Sequence, residues 1–163
     1  MMIYRTIQKS DNPYLAELVR SNLKQHGLDI PGTAYFDLNL EHLYEYYTEN
    51  PEKRNYFVAE DETGKVVGGC GIDEFAGADG YGELQKLYVD PDYQRQGIAR
   101  ALVGMVEEEA ARLGYKVLYL ETHSNLQAAL HLYQAMGFEL VERPAFAVHA
   151  TMDNFMVKAV LDR

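Results

Sequence analysis

Cysteine is almost absent from this chain. The single Cys70 excludes an internal disulfide and the cysteine-rich zinc patterns, and it suits a reducing compartment. A cytoplasmic location is therefore expected. Bases are also scarce: fifteen Lys and Arg stand against twenty-five Asp and Glu, a formal net charge of −10 at pH 7. That balance opposes nucleic-acid binding, because phosphates need a basic footprint. It favours a cationic small partner through the long-range field. No apolar run approaches the roughly 18 residues of a membrane span, and the opening MMIYRTIQKSD lacks the apolar stretch of an export signal. Neither a membrane partner nor export is expected. His26, His42, His123, His131 and His149 show no close ligand spacing, so no metal is expected either. The phosphate-loop pattern GxxxxGK and the dinucleotide pattern GxGxxG do not occur, which removes the usual support for nucleotide hydrolysis and hydride transfer.

What is present describes one globular unit. The 163 residues, 47% of them hydrophobic, suffice for a single domain over 1–163 with a core large enough to hide a cleft. Met2–Gln8 reads as a strand. Asn12 before Pro13 places a capping residue ahead of a first-turn proline, and Leu15, Leu18, Val19 and Leu23 recur at helical spacing up to about Gln25. A second helix spans Leu40–Tyr47. The runs YFVAE and VVGGCGI flank DETGK as a hairpin, and Tyr81–Val89 forms the next strand. Ile98, Ala101, Leu102, Met105 and Val106 make one face of a long helix, and Lys116–Thr122 returns as a strand. Such a crossover makes those two strands parallel. Ser124 and Gln127 match a capping box for a helix Ala128–Met136 ended by Gly137, and FELVER and NFMVKAVL close the chain as strands. The expected fold is mixed α/β: a mostly antiparallel sheet with one parallel pair, flanked by helices.

The most informative stretch is LQKLYVDPDYQRQGIA, Leu84 to Ala99, where a strand stops at Asp90 and Pro91 and a glycine opens a helix. First-turn amides have no intrahelical partner and sum with the helix dipole, so a phosphate there meets several donors and a positive end. Gly97 and Ala99 permit close approach to the backbone, and Arg95 adds charge.

This turn, Gln94-Arg95-Gln96-Gly97-Ile98-Ala99, resembles the Gln/Arg-x-x-Gly-x-Gly/Ala turn by which the GNAT superfamily of N-acetyltransferases binds acetyl-CoA. The segment ETHSNLQAALHLYQAMGFELV is similar to that family's Asn, Tyr-bearing helix and Gly-Phe. The likeness is strongest over Tyr81–Val141 and weakest before Tyr56, and Ala99 stands where Gly is commoner. The resemblance implies a single-domain GNAT-like fold. It also implies main-chain groups of Leu87 and Val89 on the pantetheine arm, and amides near Arg95, Gln96, Gly97, Ala99 and Arg100 on the pyrophosphate. Asn125 would touch the cofactor arm, and Tyr133 would stand beside the sulfur.

Direct transfer from a thioester to an amine needs a base for the ammonium proton and an acid for the departing thiolate. A phenol, with a reference pKa of roughly 10, can donate, so Tyr133 is the candidate acid; as a core residue it would instead pack with Ala129, Leu132 and Met136. Glu83, on the strand feeding the turn, matches the position where some relatives hold a base. Glu121 and water remain alternatives. Cys70, between small glycines, reads as a buried packing residue rather than a nucleophile. The acceptor pocket is expected from helices 1 and 2 and the late loop RPAFAVHATMD, with the loop around Tyr35 as its candidate, while Tyr44, Tyr46 and Tyr47 read as packing helix 2 against the sheet. Acetyl-CoA-dependent N-acetylation of a primary amine, on a small molecule or an exposed amino group of a peptide, is the function implied. A non-catalytic acyl-CoA sensor is the alternative, which the joint presence of Asn125 and Tyr133 disfavours, and a pure interaction module has only the acidic surface behind it. Frequent dimers in the family make a homodimer the expected assembly.

Overall fold

Along Asn55–Glu60, which forms β2, successive side chains leave opposite faces of the strand, and this alternation sorts the core into two layers. Tyr56 and Val58 join one apolar cluster, while Phe57 and Ala59 join another on the opposite face. A computed structural model describes residues 1–145, 147 and 150–161. Around β2 the other strands are β1 (Ile3–Thr6), β3 (Val66–Glu74), β4 (Tyr81–Val89), β5 (Val117–Thr122), β6 (Glu139–Val141) and β7 (Asn154–Ala159). They form one seven-stranded sheet in the order β1-β2-β3-β4-β5-β7-β6. All neighbours are antiparallel except β4 and β5, the expected parallel pair.

Helix α1 (Asn12–Gln25) covers one face with Leu15, Val19 and Leu23, beside the shorter α2 (Leu43–Glu49). Helix α3 (Ile98–Leu113) covers the other with Ile98, Leu102, Val103, Val106 and Ala110, and Gly114 ends it in the left-handed conformation. Tyr133 on α4 (Gln127–Ala135) packs into that second layer.

Two caps differ from the sequence reading. Asp11, not Asn12, is the residue before α1, because a short 3-10 turn over Lys9–Asp11 runs directly into it. The Asn12 side chain instead ties α1 to α2: its amide donates to Glu45 at 2.6 Å and its carbonyl accepts from the Tyr44 amide at 2.8 Å. Ser124 likewise does not cap α4. Its hydroxyl and amide both donate to Asp153, at 2.7 and 2.8 Å, and only the Gln127 side chain bonds back to the Ser124 carbonyl.

The sheet is interrupted at one place that matters. Gly69 pairs with Tyr88 and Gly71 with Gln85, so two steps along β3 match three along β4. The extra residue is a β-bulge, and Lys86 sits there at φ 50°, left-handed without being glycine. The Tyr56 hydroxyl donates to the Lys86 carbonyl at 2.8 Å, and the ring lies over two glycines. A Cβ at Gly69 would stand 2.5 Å from the Tyr56 ring, and one at Gly71 2.6 Å from it.

Gly69→Ala should therefore lower unfolding free energy by about 1–3 kcal/mol through overpacking. Gly104→Ala, inside α3 with nothing within 4 Å of the added methyl, should raise it by roughly 0.5–1 kcal/mol. Urea unfolding of both variants checks the pair, and a neutral Gly69→Ala would contradict the ring packing.

Candidate active site

Just ahead of the bulge, β4 and β5 part company. Their ladder holds only Tyr81 with Val117, Gly82 with Leu118 and Glu83 with Tyr119, while β5 continues to Thr122 paired with β7 alone on its far side. The main chain alternates its edges along a strand. The Asp90 amide donates to the Val67 carbonyl of β3 at 2.8 Å, so the backbone groups of Leu87 and Val89 face the opposite edge, into the gap. Asn22 of α1 reaches that edge: its amide donates to the Val89 carbonyl at 3.4 Å from a buried position.

The gap is a cleft of about 70 Å³, lined by Glu83 to Tyr88 of β4, Glu121 and Thr122 of β5, and Leu126, Ala129 and Tyr133 around α4. Ala34 and Met152 close its rim. The structure thus brings Glu83, Glu121, Leu87 and Tyr133 together. Tyr133 is 5% exposed, its ring edge-on to Phe138 with centroids 5.7 Å apart. Burial lifts its phenol well above the ordinary value near 10, so it is protonated throughout the neutral range. Glu83 is buried and accepts from the Gln85 amide at 2.8 Å. Glu121 accepts from Tyr119 at 2.8 Å, and that phenol is raised first by burial and then by this bond.

At the end of β4 the chain turns through a 3-10 turn, Pro91–Tyr93, started by the Asp90 side chain accepting from the Asp92 amide at 2.9 Å. Arg95 and Gly97 are both left-handed, at φ 64° and 78°, which makes the turn a concave run of backbone amides. The first intrahelical bond of α3 runs from the Ala101 amide to the Gly97 carbonyl at 3.0 Å. The amides of Ile98, Ala99 and Arg100 therefore lack an intrahelical acceptor, and no side chain caps them. A Cβ on Gly97 would meet nothing within 4 Å. Arg95, Gln96, Gly97 and Arg100 are exposed and Ala99 is partly so. A diphosphate fits this donor set.

The turn is anchored from the β2–β3 hairpin. Tyr93 donates to Asp61 at 2.7 Å, and Lys65 lies 3.4 Å from Asp90. Bonds from Thr63 and then Tyr93 hold the Asp61 carboxyl well below the usual carboxylate range. A carboxylate so depressed adds stability above its unfolded value and loses it only as the pH falls through the lower folded one, so the anchor persists into acid.

Asn125 lies outside the cleft lining. Its side-chain amide donates to the His26 carbonyl at the end of α1, at 2.9 Å, which draws the β5–α4 turn against α1. Tyr35 lines a separate groove along the outer face of α1 with Pro13, Glu17, Arg20 and His42, not the side where Glu83 lies. Tyr46 takes that place. It lines a pocket of about 490 Å³ with Asp37, Leu43, Asp73, Phe75 and Glu83, and this pocket shares Glu83, Gln85 and Lys86 with the cleft. In the late loop Met152 reaches the cleft; Phe146, Val148 and His149 lie outside the described residues. Among the described residues no group of His, Cys, Asp and Glu could hold a metal ion.

Sequence reasoning missed Asn22, Gln85 and Lys86. For Asn22 a signal existed, a polar residue on the apolar face of α1. Lys86 had none, because a left-handed lysine leaves no local signature.

The acetyltransferase (GNAT) family matches this chain over residues 22–138. The uncharacterised N-acetyltransferase YjgM of Escherichia coli K12 is 37% identical over 142 residues, which span 86% of this chain and 83% of that protein. A shorter stretch of 55 residues, 34% of this chain and 37% of the relative, is 44% identical to the ribosomal protein bS18-alanine N-acetyltransferase of the same organism. In fold, the chain is similar to a GNAT-family acetyltransferase of Staphylococcus aureus Mu50, with a TM-score of 0.87 at 19% identity over 99% of this chain and 100% of that one. It is also similar to YncA of Salmonella typhimurium, solved with acetyl-CoA, with a TM-score of 0.77 at 22% identity over 100% of this chain and 96% of that one. The chain belongs to the GNAT family of acetyltransferases.

Proposed function

We propose that residues 1–163 form an acetyl-CoA-dependent N-acetyltransferase that acts on a primary amine, with a cationic small molecule or an exposed amino group as acceptor. One observation carries the reading: a cleft opens between two parallel strands at a buried phenol and a buried carboxylate, and the strand that walls it leads on to an uncapped turn of amides. Acetyl-CoA supplies the acetyl group as a thioester. The amides around Arg95, Gln96, Gly97, Ala99 and Arg100 bind its pyrophosphate, and the Leu87 and Val89 edge pairs with the amide-bearing pantetheine arm. The bond from Asn125 to His26 holds the β5–α4 turn beside that arm.

The acceptor enters through the wider pocket, whose Asp37, Asp73, Glu74 and Glu83 outnumber Lys86. Carboxylates of this density favour an ammonium over an anionic amino compound. Glu83 accepts the ammonium proton, directly or through a water, with Glu121 as the alternative base. Tyr133 delivers a proton from its hydroxyl to the departing sulfur. Burial keeps the proton on the Tyr133 oxygen throughout the neutral range, so the hydroxyl is present as a donor when the thiolate departs.

Release of CoA thiol in the presence of a panel of amines tests the reading. Cationic acceptors should outpace anionic ones, and added salt should narrow the difference. Binding of acetyl-CoA without thiol release from any amine would replace the enzyme with the sensor. A preference for acidic acceptors would overturn the acceptor class.

Tyr133→Phe should slow single-turnover acetyl transfer by about 100-fold to 10,000-fold with little change in acetyl-CoA affinity, since only the proton donor is lost. The parent rate should show no fall from Tyr133 ionisation below about pH 10. Parent-like rates in a folded Tyr133→Phe protein would exclude the acid role.

A further inference from the structure

Behind Glu83 stand two side chains that the proton transfers above do not use. The Gln85 side-chain nitrogen donates to Glu83 Oε1 at 2.8 Å, and Gln85 Oε1 accepts from the Tyr47 hydroxyl at 2.5 Å. Tyr47 is 1% exposed, so its hydroxyl must find a partner inside the protein. Burial lifts its phenol well above the ordinary value, so it stays a donor. A phenol that donates to the amide oxygen fixes the orientation of the amide, and the nitrogen is left to face the carboxylate. Donation therefore runs one way, from Tyr47 through Gln85 to Glu83.

The backbone is shaped for this chain of bonds. Gly71 is the register partner of Gln85, and a Cβ there would lie 2.9 Å from the Tyr47 hydroxyl oxygen. The glycine admits the phenol that orients Gln85. We propose that Gln85 and Tyr47 are positioning residues that hold the Glu83 carboxylate in its ionised, proton-accepting form. The proposal deepens the acetyltransferase reading and rests on Glu83 as its base.

Other groups act on Glu83 from the elements around it. Asp73 of β3 and Tyr119 of β5 are its register partners. Tyr46 of α2 shares the pocket, Glu121 of β5 shares the cleft, and Lys86 of its own strand shares both. Asp73 and Glu121 oppose a second negative charge, as like charges do. Asp73 is tempered by the Tyr46 hydroxyl and by Arg54 at 3.9 Å. Donation from Gln85 works in the opposite sense, favouring the charged form.

Carboxyl titration by NMR of carbon-13-labelled protein tests this without an acceptor, with the Glu83 signal identified by its loss in Glu83→Gln. In Gln85→Leu the Glu83 midpoint should rise by roughly one pH unit, because a donor to the charged form is gone. In Gln85→Glu it should rise further, since a like charge replaces the donor. Gln85→Leu strands the Tyr47 hydroxyl, so the Tyr47→Phe/Gln85→Leu double variant removes both polar partners and keeps the fold measurable. It should show the same rise. A midpoint unchanged from the parent in the double variant and in Gln85→Glu would overturn the proposal. The rate at which Glu83→Gln transfers acetyl from acetyl-CoA to the fastest amine of the panel separates the two claims. A parent-like rate there would remove Glu83 as base and with it the catalytic meaning of the relay, whereas a lost rate with unmoved midpoints would sink the relay and spare the base.

Discussion

The bond from the Tyr56 hydroxyl to the Lys86 carbonyl, 2.8 Å long and made by a tyrosine that is itself fully buried, is the constraint on which the site depends. A bulge turns one carbonyl away from its ladder, and a buried carbonyl without a donor costs about 1–3 kcal/mol. Tyr56 supplies that donor, and its ring has room only because residues 69 and 71 carry no Cβ. With the bulge satisfied, Lys86 can hold its left-handed backbone, and its ammonium reaches Asp37 at 2.9 Å. The same strand has already left its parallel neighbour after three pairs, at Glu83. A gap with an unpaired backbone edge is what an extended, amide-bearing ligand arm can use.

Several separate anchors hold the parts of the cleft in mutual register. The phosphate turn is fixed to the hairpin through Tyr93 and Asp61, and the edge of β4 is touched by Asn22 from α1. The turn before α4 is tied to α1 through Asn125, and to the start of β7 through Ser124 and Asp153. The same helix α1 thus meets both sides of the gap. The polar groups are split accordingly: a desolvated phenol on the α4 side keeps its proton, and the Glu83 carboxylate on the β4 side accepts from Gln85. Under the proposed reading the phenol is the acid and the carboxylate the base, and their different surroundings give each its task.

Much of this was legible in the residues. The bounds of β4, the start of α3 at Ile98 and the parallel crossover follow from local period and turn chemistry, which act over a few neighbours. The amide turn at residues 94–99 was equally readable, because its glycine and its position after a strand carry their own physics. What escaped was decided by distant partners. Ser124 has the residues of a cap, but Asp153, far along the chain, takes its hydroxyl. Asn12 has the look of a cap and serves as a clamp between two helices. Tyr35 and Tyr46 are indistinguishable by type, and only the path of the 33–42 segment sends one to the outer groove and the other to the pocket. The three glycines in VVGGCGI were visible, yet the purpose of Gly69 and Gly71 needed the two tyrosines that fill their space.

The most direct measurement of the central claim is a crystal structure of the protein with CoA. The account predicts the pantetheine arm in the gap between β4 and β5, hydrogen-bonded to main-chain groups of Leu87 and Val89. It also predicts the pyrophosphate on the amides of residues 95–100 and the sulfur beside Tyr133. A CoA molecule bound elsewhere, or a β4–β5 ladder that continues past Glu83 when CoA is present, would contradict it.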